Sequence, residues 1–368
     1  MAQSDVFFIN LRTKLDDSRL DRLGRLCRVA GISKIDFKDK YTAIKMHFGE
    51  PGNLSFLRPN YAKVVADIVR ELGGKPFLTD CNTLYVGGRK DALEHLNSAN
   101  LNGFNPMTTG CQIIIADGLK GNDEALIPVE GGVYVKEAKI GRALADADIV
   151  ISLAHFKGHE LTGFGGALKN LGMGGGSRAG KMEQHCDGKP VVDQKLCIGC
   201  GACRKICANN GPQIAGGKCH IDVDNCVGCG RCIAVCPKDA ISNPNNCSND
   251  LLNCKIAEYT KAVVQGKPAF YINLVIEVSP NCDCHNENDE AIVPDIGFFA
   301  SFDPVALDRA CADAVNKAPS NSLSMLGGLP EKPDHFGAAH PETNWRSALE
   351  HAEKIGLGTQ NYRLVTVK

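Results

Sequence analysis

The chain has 368 residues, and its 43% hydrophobic and 23% charged residues are typical of a globular protein and not of a disordered one. Its 41 Lys and Arg residues balance 42 Asp and Glu residues, so the net charge of -1 gives no reason to expect nucleic acid or an anionic membrane as a partner. The 18 cysteines are too sparse for a disulfide scaffold, and where they cluster they have the spacing of metal ligands.

The beginning of the chain predicts a cytoplasmic location. Residues 1–16 contain no apolar run of the signal-peptide type, and no stretch approaches the ~20 apolar residues that a membrane-spanning helix needs. We therefore expect a protein that stays in the cytoplasm, apart from the membrane, with its thiols reduced.

Up to residue 186 the sequence alternates short β-rich runs with helical periodicity, which predicts an α/β fold class: a helix-covered parallel or mixed sheet, in one lobe or two. Apolar residues recur at helical spacing over 20–30 and 64–72. The predicted strands of this part are 6–11, 42–48, 76–79, 113–116 and 148–154.

From about residue 190 to 244 cysteine, glycine and asparagine replace the apolar periodicity, so this segment needs something other than an apolar core to hold it together. The α/β pattern then resumes, with helices predicted at 256–264, 304–315 and 345–355 and strands at 269–278, 292–300 and 363–367. We therefore predict one α/β host, formed by residues 1–188 and 246–368, with residues 189–245 as a small insertion.

The predicted insertion contains two runs with the spacing C-x2-C-x2-C-x3-C. They are Cys197, Cys200, Cys203 and Cys207, then Cys226, Cys229, Cys232 and Cys236. In the two-cluster ferredoxin arrangement three cysteines of a run hold one [4Fe–4S] cluster and the fourth crosses to the other cluster. The spacing therefore assigns Cys236 to the first cluster and Cys207 to the second. Zinc is the alternative, but zinc sites use separated pairs, whereas here a third cysteine follows each pair.

These cysteine runs resemble a bacterial dicluster ferredoxin, and their host resembles the iron–sulfur proteins of the domain-of-unknown-function 362 (DUF362) family. The stretches that carry the second resemblance are 43–49, 78–85, 155–174, 281–284, 295–297 and 303–304. The resemblance covers most of the chain and implies two [4Fe–4S] clusters in a small α+β ferredoxin-like domain inserted into the α/β host. One departure from the ferredoxin motif is Ala208, which follows Cys207 where the motif has proline.

Histidines and lysines lie near the predicted ends of two strands, where open α/β sheets bind their ligands. His47 comes near the end of the strand that begins at 42, and His155 directly follows the strand 148–154. Such a group can bind an anionic substrate, transfer protons or ligate a metal, and the alternative is that each residue is an ordinary loop residue. The candidate catalytic residues are His47, His155, Lys157, His159 and Lys169, with Lys45 on the face of His47 and a second group formed by Asp80, Asn82, Tyr85 and Arg89.

A further pair of cysteines, Cys282 and Cys284, follows the predicted strand 269–278, with His285 next to it. Two thiolates and an imidazole are ligands for a third metal or cluster, with His185, Cys186, Cys247 or Cys254 as completing ligands. The alternative is a pair of reduced, partly buried thiols. The isolated cysteines Cys27, Cys81, Cys111 and Cys311 lie in periodic segments and are predicted to be core residues.

A glycine-rich stretch at 175–181 has the spacing G-x4-G-K, but Met182 stands where a phosphate-binding loop needs Ser or Thr. We therefore predict no nucleotide at this stretch. Ser177, Arg178 and Lys181 remain candidates for contact with a phosphate or carboxylate group.

Together these patterns favour an oxygen-sensitive iron–sulfur redox protein, in which two [4Fe–4S] clusters carry electrons to a small anionic substrate, or to a further metal site, in the α/β host. A ferredoxin- or flavodoxin-like protein is the expected redox partner, because the chain has no nicotinamide fingerprint. Two alternatives stay open: an electron-transfer or partner-binding module without a reaction of its own, and a non-redox α/β enzyme whose clusters are structural.

Overall fold

The computed structural model describes residues 3–85, 87–185, 189–207, 210–226, 231–242, 248–330 and 333–368. Up to residue 185, strands alternate with helices, and each of the five strands predicted for this part is present. The elements are β1 (Ser4–Asn10), α1 (Arg19–Val29), a 3₁₀ helix (Ile32–Lys34), β2 (Tyr41–Lys45), α2 (Pro59–Glu71), β3 (Lys75–Asp80), α3 (Ala92–Leu101), α4 (Pro106–Thr109), β4 (Gln112–Ile115), β5 (Glu124–Pro128), β6 (Glu137–Gly141), α5 (Arg142–Asp146), β7 (Ile149–His155), β8 (Lys157–His159), β9 (Gly163–Gly165), α6 (Ala167–Gly175) and α7 (Arg178–His185).

The cysteine-rich segment contains short elements only. They are β10 (Val191–Val192), α8 (Ala202–Ile206), β11 (Pro212–Ala215), β12 (Lys218–Ile221), α9 (Arg231–Ala234) and β13 (Ile241–Ser242). Strands β11 and β12 form a hairpin whose turn consists of Gly216 and Gly217, both with positive φ. Strands β10 and β13 pair antiparallel, so the two ends of the segment lie side by side. The domain boundaries at residues 189 and 245 stay a prediction.

After the cysteine-rich segment the chain returns to longer elements. They are α10 (Asn249–Val264), β14 (Ala269–Val275), β15 (Gly297–Ser301), α11 (Pro304–Lys317), α12 (His335–Ala339), α13 (Arg346–Lys354) and β16 (Tyr362–Thr366). Two strands predicted for this part were too long, as was the strand predicted at 42–48, which ends at Lys45. The strand predicted at 292–300 begins only at Gly297, since Pro294 offers no N–H to a ladder. The strand predicted at 269–278 ends at Val275, because Glu277 has a φ of 47°.

Eight strands of the described residues form one mixed sheet in the order β16-β1-β15-β14-β7-β2-β3-β4. The run from β14 to β4 is parallel, and β15 is antiparallel to both of its neighbours, β1 and β14. The predicted α/β class is confirmed. Strands from both sides of the cysteine-rich segment join this sheet. Because β2, β3, β7 and β14 are parallel, their carboxyl ends meet at one edge of the sheet.

The two faces of the sheet bury two apolar cores. On β7, Ile149, Ile151 and Leu153 point into one core with α1 and α2, whereas Val150 points into the other with α6, α10 and α11. Four isolated cysteines are buried in these cores, as predicted: Cys27, Cys81, Cys111 and Cys311. Among the described residues no helix is both long and apolar enough to cross a membrane.

Helices α6 and α10 pack unusually closely at Gly172. A Cβ at this position would lie under 3.0 Å from the carbonyl oxygen of Ile256, a backbone atom that cannot move aside cheaply. Exchanging glycine for alanine inside a helix usually stabilises by about 1 kcal/mol. Here we expect Gly172→Ala to destabilise the protein by about 1–3 kcal/mol in urea unfolding, because overpacking outweighs helix propensity.

The matched control is Gly24→Ala in α1. A Cβ there meets only the flexible end of Arg28, at 3.2 Å, and a methyl group of Val64, at 3.6 Å. This variant is expected to be neutral or slightly more stable than the wild type. Equal destabilisation by both substitutions would mean that close packing at Gly172 is not the cause.

A buried ion pair joins α10 to α13 and gives the fold a pH dependence. His351 Nε2 lies 2.7 Å from Glu258 Oε1, and the same carboxylate accepts backbone N–H groups from Val133 to Val135. Hydrogen bonds to Cys254 and Glu258 raise the pKa of His351 to about 9 from a usual value of 6.5. A raised folded-state pKa contributes stability that is complete below about pH 6.5 and is lost as the pH rises through about 9.

We expect the free energy of unfolding to fall by about 1–2 kcal/mol over this pH range in the wild type. His351→Gln removes the titrating group, so its unfolding free energy should change less with pH over the same range. Urea unfolding at several pH values measures both slopes. Identical slopes in the two proteins would contradict the assignment to His351.

Candidate active site

A cavity of about 570 Å³ opens where β2, β3 and β7 end. Side chains from these strand ends, from the loops that follow them and from α6 and α7 line it together. The five candidate catalytic residues and the pair of cysteines predicted for a third metal site are all among the lining residues: His47, His155, Lys157, His159, Lys169, Cys282 and Cys284. A volume of this size accommodates a small organic ligand.

At the end of β2, Lys45 is fully buried and paired. Its Nζ lies 2.9 Å from Asp80 Oδ1 at the end of β3 and 3.0 Å from Asn170 Oδ1 on α6. Burial lowers the pKa of Lys45, and the Asp80 carboxylate opposes this effect. Burial alone raises the pKa of Asp80, but the Lys45 ammonium holds it below its usual range. This pair fixes two neighbouring strand ends at the cavity floor.

His47 belongs to a second buried group that includes Arg89 and Glu50. The N–H of Gly49 donates to His47 Nδ1, and Nε2 lies 2.8 Å from Arg89 Nη1. Arg89 Nε in turn donates to Glu50 Oε2 over 2.7 Å. Burial and the adjacent guanidinium lower the pKa of His47 to about 3, so this imidazole is neutral.

His155, the last residue of β7, has both ring nitrogens engaged by oxygen acceptors. Nδ1 lies 2.9 Å from Asp283 Oδ1, and Nε2 lies 2.8 Å from the carbonyl oxygen of Ile276. Lys157 Nζ also approaches the Asp283 carboxylate, at 3.4 Å. His155 therefore anchors the loop that carries Asp283, and its ring offers no free nitrogen to a ligand.

The two cysteines of the same loop form a hydrogen-bonded group with a lysine. Lys169 Nζ on α6 donates to Cys282 Sγ over 3.3 Å, and Cys284 is exposed on the cavity wall. The hydrogen bond from Cys284, together with the Lys169 ammonium, holds the pKa of Cys282 well below that of an ordinary thiol. Burial alone lowers the pKa of Lys169, but the Cys282 thiolate outweighs this effect and raises that pKa above its usual value.

Next to these sulfur atoms, Glu160 lies between two histidines. Its Oε1 is 3.0 Å from His285 Nε2 and 3.7 Å from His159 Nε2. Burial opposes ionisation, but the two imidazoles lower the pKa of Glu160 to about 2. The hydrogen bond to Glu160 raises the pKa of His285 to about 9.

Lys181, the lysine of the glycine-rich stretch, enters the cavity from α7. Its Nζ donates to the carbonyl oxygen of Gly176 over 2.6 Å, and within the described part of the chain it forms no ion pair with a carboxylate. The neighbouring candidates do not reach the cavity, because Ser177 binds Glu124 and Arg178 binds the carbonyl oxygens of Leu84 and Lys90. Of this stretch, Lys181 alone contributes a charged side chain to the cavity lining among the described residues.

The remaining sequence candidates divide between the cavity and other places. Asp80, Tyr85, Arg89 and His185 line the cavity, whereas Asn82 binds the buried Asp117 through its backbone and side chain. Cys254 contacts His351 instead. Cys186 and Cys247 lie outside the described residues.

Sequence reasoning missed Asp283 and Glu50, since lone acidic residues in loops carry no spacing signal.

In the cysteine-rich segment, a second and much smaller cavity is lined by Cys197, Cys200, Cys203 and Cys236. This is the set that the spacing assigns to one cluster. Backbone N–H groups point at two of the sulfur atoms: that of Cys219 lies 3.3 Å from Cys197 Sγ, and that of Ala240 lies 3.2 Å from Cys236 Sγ. The side chain of Cys219 also lines this cavity, which the sequence did not predict.

The second predicted set is only partly described. The N–H of Gly211 donates to Cys207 Sγ over 3.4 Å, and a Cβ on Gly211 would lie 3.3 Å from Cys226 Cβ. Cys207 and Cys226 are therefore close, and Gly211 leaves the space between them open. Cys229 lies outside the described residues.

One apolar cluster connects the cysteine-rich segment to the host. Leu84, which lines the large cavity, and Met182 of α7 pack in the same cluster as Cys197, Cys203 and Cys232. The wall of the large cavity is thus in apolar contact with the segment that contains the cysteine runs.

Comparisons with known proteins agree with the family resemblance. Residues 42–313 match the family described as "Domain of unknown function (DUF362)". The thylakoid-associated protein sll1697 of Synechocystis sp. is 28% identical over 127 residues, which is 33% of this chain and 34% of that protein.

Two solved structures are also similar, each at 12% identity. The lactate racemase apoprotein from Thermoanaerobacterium thermosaccharolyticum has a TM-score of 0.34, and the match covers 73% of this chain and 50% of that one. A protein from Thermotoga maritima has a TM-score of 0.36, with 91% of this chain and 58% of that one covered. The chain therefore spans about a third of the curated relative that it matches and 50% and 58% of the two solved chains.

Proposed function

Because the chain belongs to the DUF362 family and its cysteine-rich segment adjoins a lysine-lined cavity, we propose that it is an iron–sulfur redox protein acting on a small anionic substrate. Two [4Fe–4S] clusters in the segment 189–245 carry the electrons, and the cavity at the carboxyl edge of the sheet binds the substrate.

The cysteines support this assignment of clusters by their grouping and by their surroundings. Cys197, Cys200, Cys203 and Cys236 would hold the first cluster, and Cys226, Cys229, Cys232 and Cys207 the second. The first four line one small cavity, and backbone N–H groups approach the sulfur atoms of both sets. Amide donors of this kind stabilise the electron-rich sulfur atoms of a bound cluster. When bound, the clusters supply one-electron transfer.

The single observation that carries the proposal is the position of Leu84. This side chain lines the large cavity and belongs to the apolar cluster that contains Cys197 and Cys203. One continuous apolar cluster therefore links the wall of the substrate cavity to the first cysteine set. An electron-transfer module without a reaction of its own has no need of such a cavity. The position of Leu84 therefore favours a redox enzyme over a transfer module.

The cavity residues support an anionic substrate, because they offer a cation and a hydrogen-bond donor. Lys181 lines the cavity and, in the described part of the chain, forms no ion pair with a carboxylate, so its ammonium can attract an anionic ligand. The N–H groups of Leu161 and Thr162 both donate to His159 Nδ1, so the ring proton of the neutral imidazole is on Nε2. His159 therefore presents a hydrogen-bond donor, Nε2–H, on the cavity wall, and because its imidazole is neutral it does not serve as the acid of the reaction.

Electrons would enter at the surface of the cysteine-rich segment. Cys200 is exposed, and the neighbouring Leu196 and Ile198 are 50% and 58% exposed. A small apolar patch at the edge of a cluster suits transient docking of a ferredoxin- or flavodoxin-like partner. The partner remains a proposal.

The test begins with anaerobically purified protein that is reduced with dithionite and freed of excess reductant. Reoxidation of the clusters is then followed after addition of nitrite, sulfite, fumarate or pyruvate. We expect at least one anion to reoxidise the protein with saturable kinetics, and Lys181→Met to raise the half-saturating concentration by about tenfold or more. The control Lys63→Met removes an exposed lysine of α2 and should leave the kinetics unchanged.

The proposal is overturned if the purified protein holds zinc without sulfide. It is also overturned if reduced clusters exchange electrons with a protein partner but with none of the anions, since the molecule would then be a transfer module. Turnover of a substrate at equal rates with the clusters oxidised and reduced would support the non-redox enzyme.

A further inference from the structure

Three different ligand atoms converge on the cavity wall beside the cysteine pair. The carboxylate of Glu160, the sulfur of Cys284 and the imidazole of His285 each offer one atom, and these atoms lie within 4.8 Å of one another. A thiolate, an imidazole and a carboxylate form the mixed ligand set that zinc and related divalent ions bind. We infer that Glu160, Cys284 and His285 form a divalent-metal centre of the zinc class, with its fourth position open to the cavity.

The imidazole of His285 is oriented as metal ligands usually are. Its Nδ1 lies 3.0 Å from Glu287 Oε1, so the carboxylate holds a proton on Nδ1. The other nitrogen, Nε2, faces Glu160 Oε1 at 3.0 Å. A metal ion between Nε2 and the Glu160 carboxylate would take the place of the proton that now joins them.

An oxygen atom of Glu160 that has no partner also indicates a metal ion at this position. Its Oε2 is buried and has no hydrogen-bond partner among the described residues. Burying a carboxylate oxygen without a hydrogen-bond donor costs free energy, and native structures rarely contain such an atom. A metal ion held by this carboxylate supplies the missing partner.

Two neighbours that resemble ligands are excluded, one by its hydrogen bonds and the other by its position. His159 accepts two backbone N–H groups at Nδ1, so its Nε2 carries the proton and has no free lone pair. Cys282 Sγ lies outside the group of converging atoms. The centre therefore uses Cys284 of the cysteine pair and has three protein ligands, the number typical of catalytic zinc sites.

The inference goes beyond the proposed redox function and does not depend on the clusters. Its test uses anaerobically purified protein with its clusters in place, stripped of loosely bound metal and titrated with Zn²⁺. Zinc, iron and sulfide are measured on the same samples, and the zinc environment is read from its X-ray absorption spectrum. We expect one zinc per chain with a single sulfur ligand at about 2.3 Å and nitrogen or oxygen ligands at about 2.0–2.2 Å.

The variants separate this centre from the cysteine-rich segment. Cys284→Ser should remove the zinc–sulfur contribution, and His285→Gln should weaken zinc binding by at least tenfold. Glu287→Gln changes a residue outside the ligand set and should weaken zinc binding by about 10–100-fold while the fold is retained. The control Cys111→Ala removes a buried cysteine of the sheet core and should bind zinc as the wild type does.

Zinc bound by four sulfur atoms would place the metal in the cysteine-rich segment and overturn the inference. Unchanged zinc affinity in Cys284→Ser and Glu287→Gln would overturn it as well. Zinc at this centre in protein without iron and sulfide would support the inference and overturn the proposed function, so the two failures are distinguishable.

Discussion

Replacing Cys200 by alanine is expected to lower the bound iron from about eight to about four atoms per chain. Cys200 lines one small cavity together with Cys197, Cys203 and Cys236. If these four cysteines hold one cluster, the loss of any one of them removes that cluster and leaves the other in place. Iron and sulfide analysis, with EPR spectra of the dithionite-reduced protein, measures the loss.

Double variants test which cysteines belong together. Cys236→Ala combined with Cys200→Ala should lose no more iron than either single variant, because both cysteines line the same cavity. Cys207→Ala combined with Cys200→Ala should lose both clusters. The EPR signal that persists in the single variant Cys200→Ala should therefore be absent from this double variant. The opposite pattern would show that Cys236 serves the second cluster, against the crossing that the spacing predicts.

Cys219→Ala is the matched control within the same segment. Its side chain lines the small cavity, but its N–H, which alanine keeps, is the group that donates to Cys197 Sγ. We therefore expect this variant to retain both clusters. A loss of about four iron atoms here would mean that Cys219 is a ligand and that the assignment from spacing is wrong.

Lys45→Met is expected to destabilise the protein by about 3–5 kcal/mol, the largest effect we predict for a host residue. Lys45 and Asp80 are 1% and 3% exposed, and their charged atoms are 2.9 Å apart. Removing the ammonium leaves the Asp80 carboxylate buried without its main counter-charge. Urea unfolding under anaerobic conditions measures the change in free energy.

The double variant Lys45→Met, Asp80→Asn removes both charges and should recover most of this loss. Lys63→Met is the matched control, because Lys63 pairs with Asp67 on the exposed face of α2 and such pairs contribute only about 0–1 kcal/mol. If the double variant is no more stable than Lys45→Met, the effect comes from lost packing and not from an unpaired charge.

The place of the cavity could be predicted from the sequence, because ligands bind at the carboxyl ends of parallel strands and strand ends can be read from hydrophobic runs. His47 and His155 were found in this way, and both line the cavity. What each side chain does there could not be predicted. In the sequence, His155 appeared equivalent to His159. In the structure, both ring nitrogens of His155 are in hydrogen-bond contact with oxygen atoms, those of Asp283 and Ile276.

The metal-centre residues show why spacing alone was insufficient. Glu160 and His285 are 125 residues apart in the chain, and their contact exists only because β8 and the loop after β14 meet at one edge of the sheet. Cys282 and Cys284 looked equivalent in the sequence. Lys169 on α6 distinguishes them by holding the Cys282 sulfur.

By itself, the sequence determined the α/β class, the order of the main strands and helices, and the eight-cysteine pattern with its metal-ligand spacing. These are local properties, since hydrophobic periodicity and ligand spacing are written within short stretches of chain. The tertiary structure alone decided which charges are paired, which cysteine of the pair lies beside Glu160 and His285, and that Leu84 joins the cavity wall to the cysteine-rich segment. Such relations depend on contacts between residues far apart in the chain, which only the packed sheet and helices bring together.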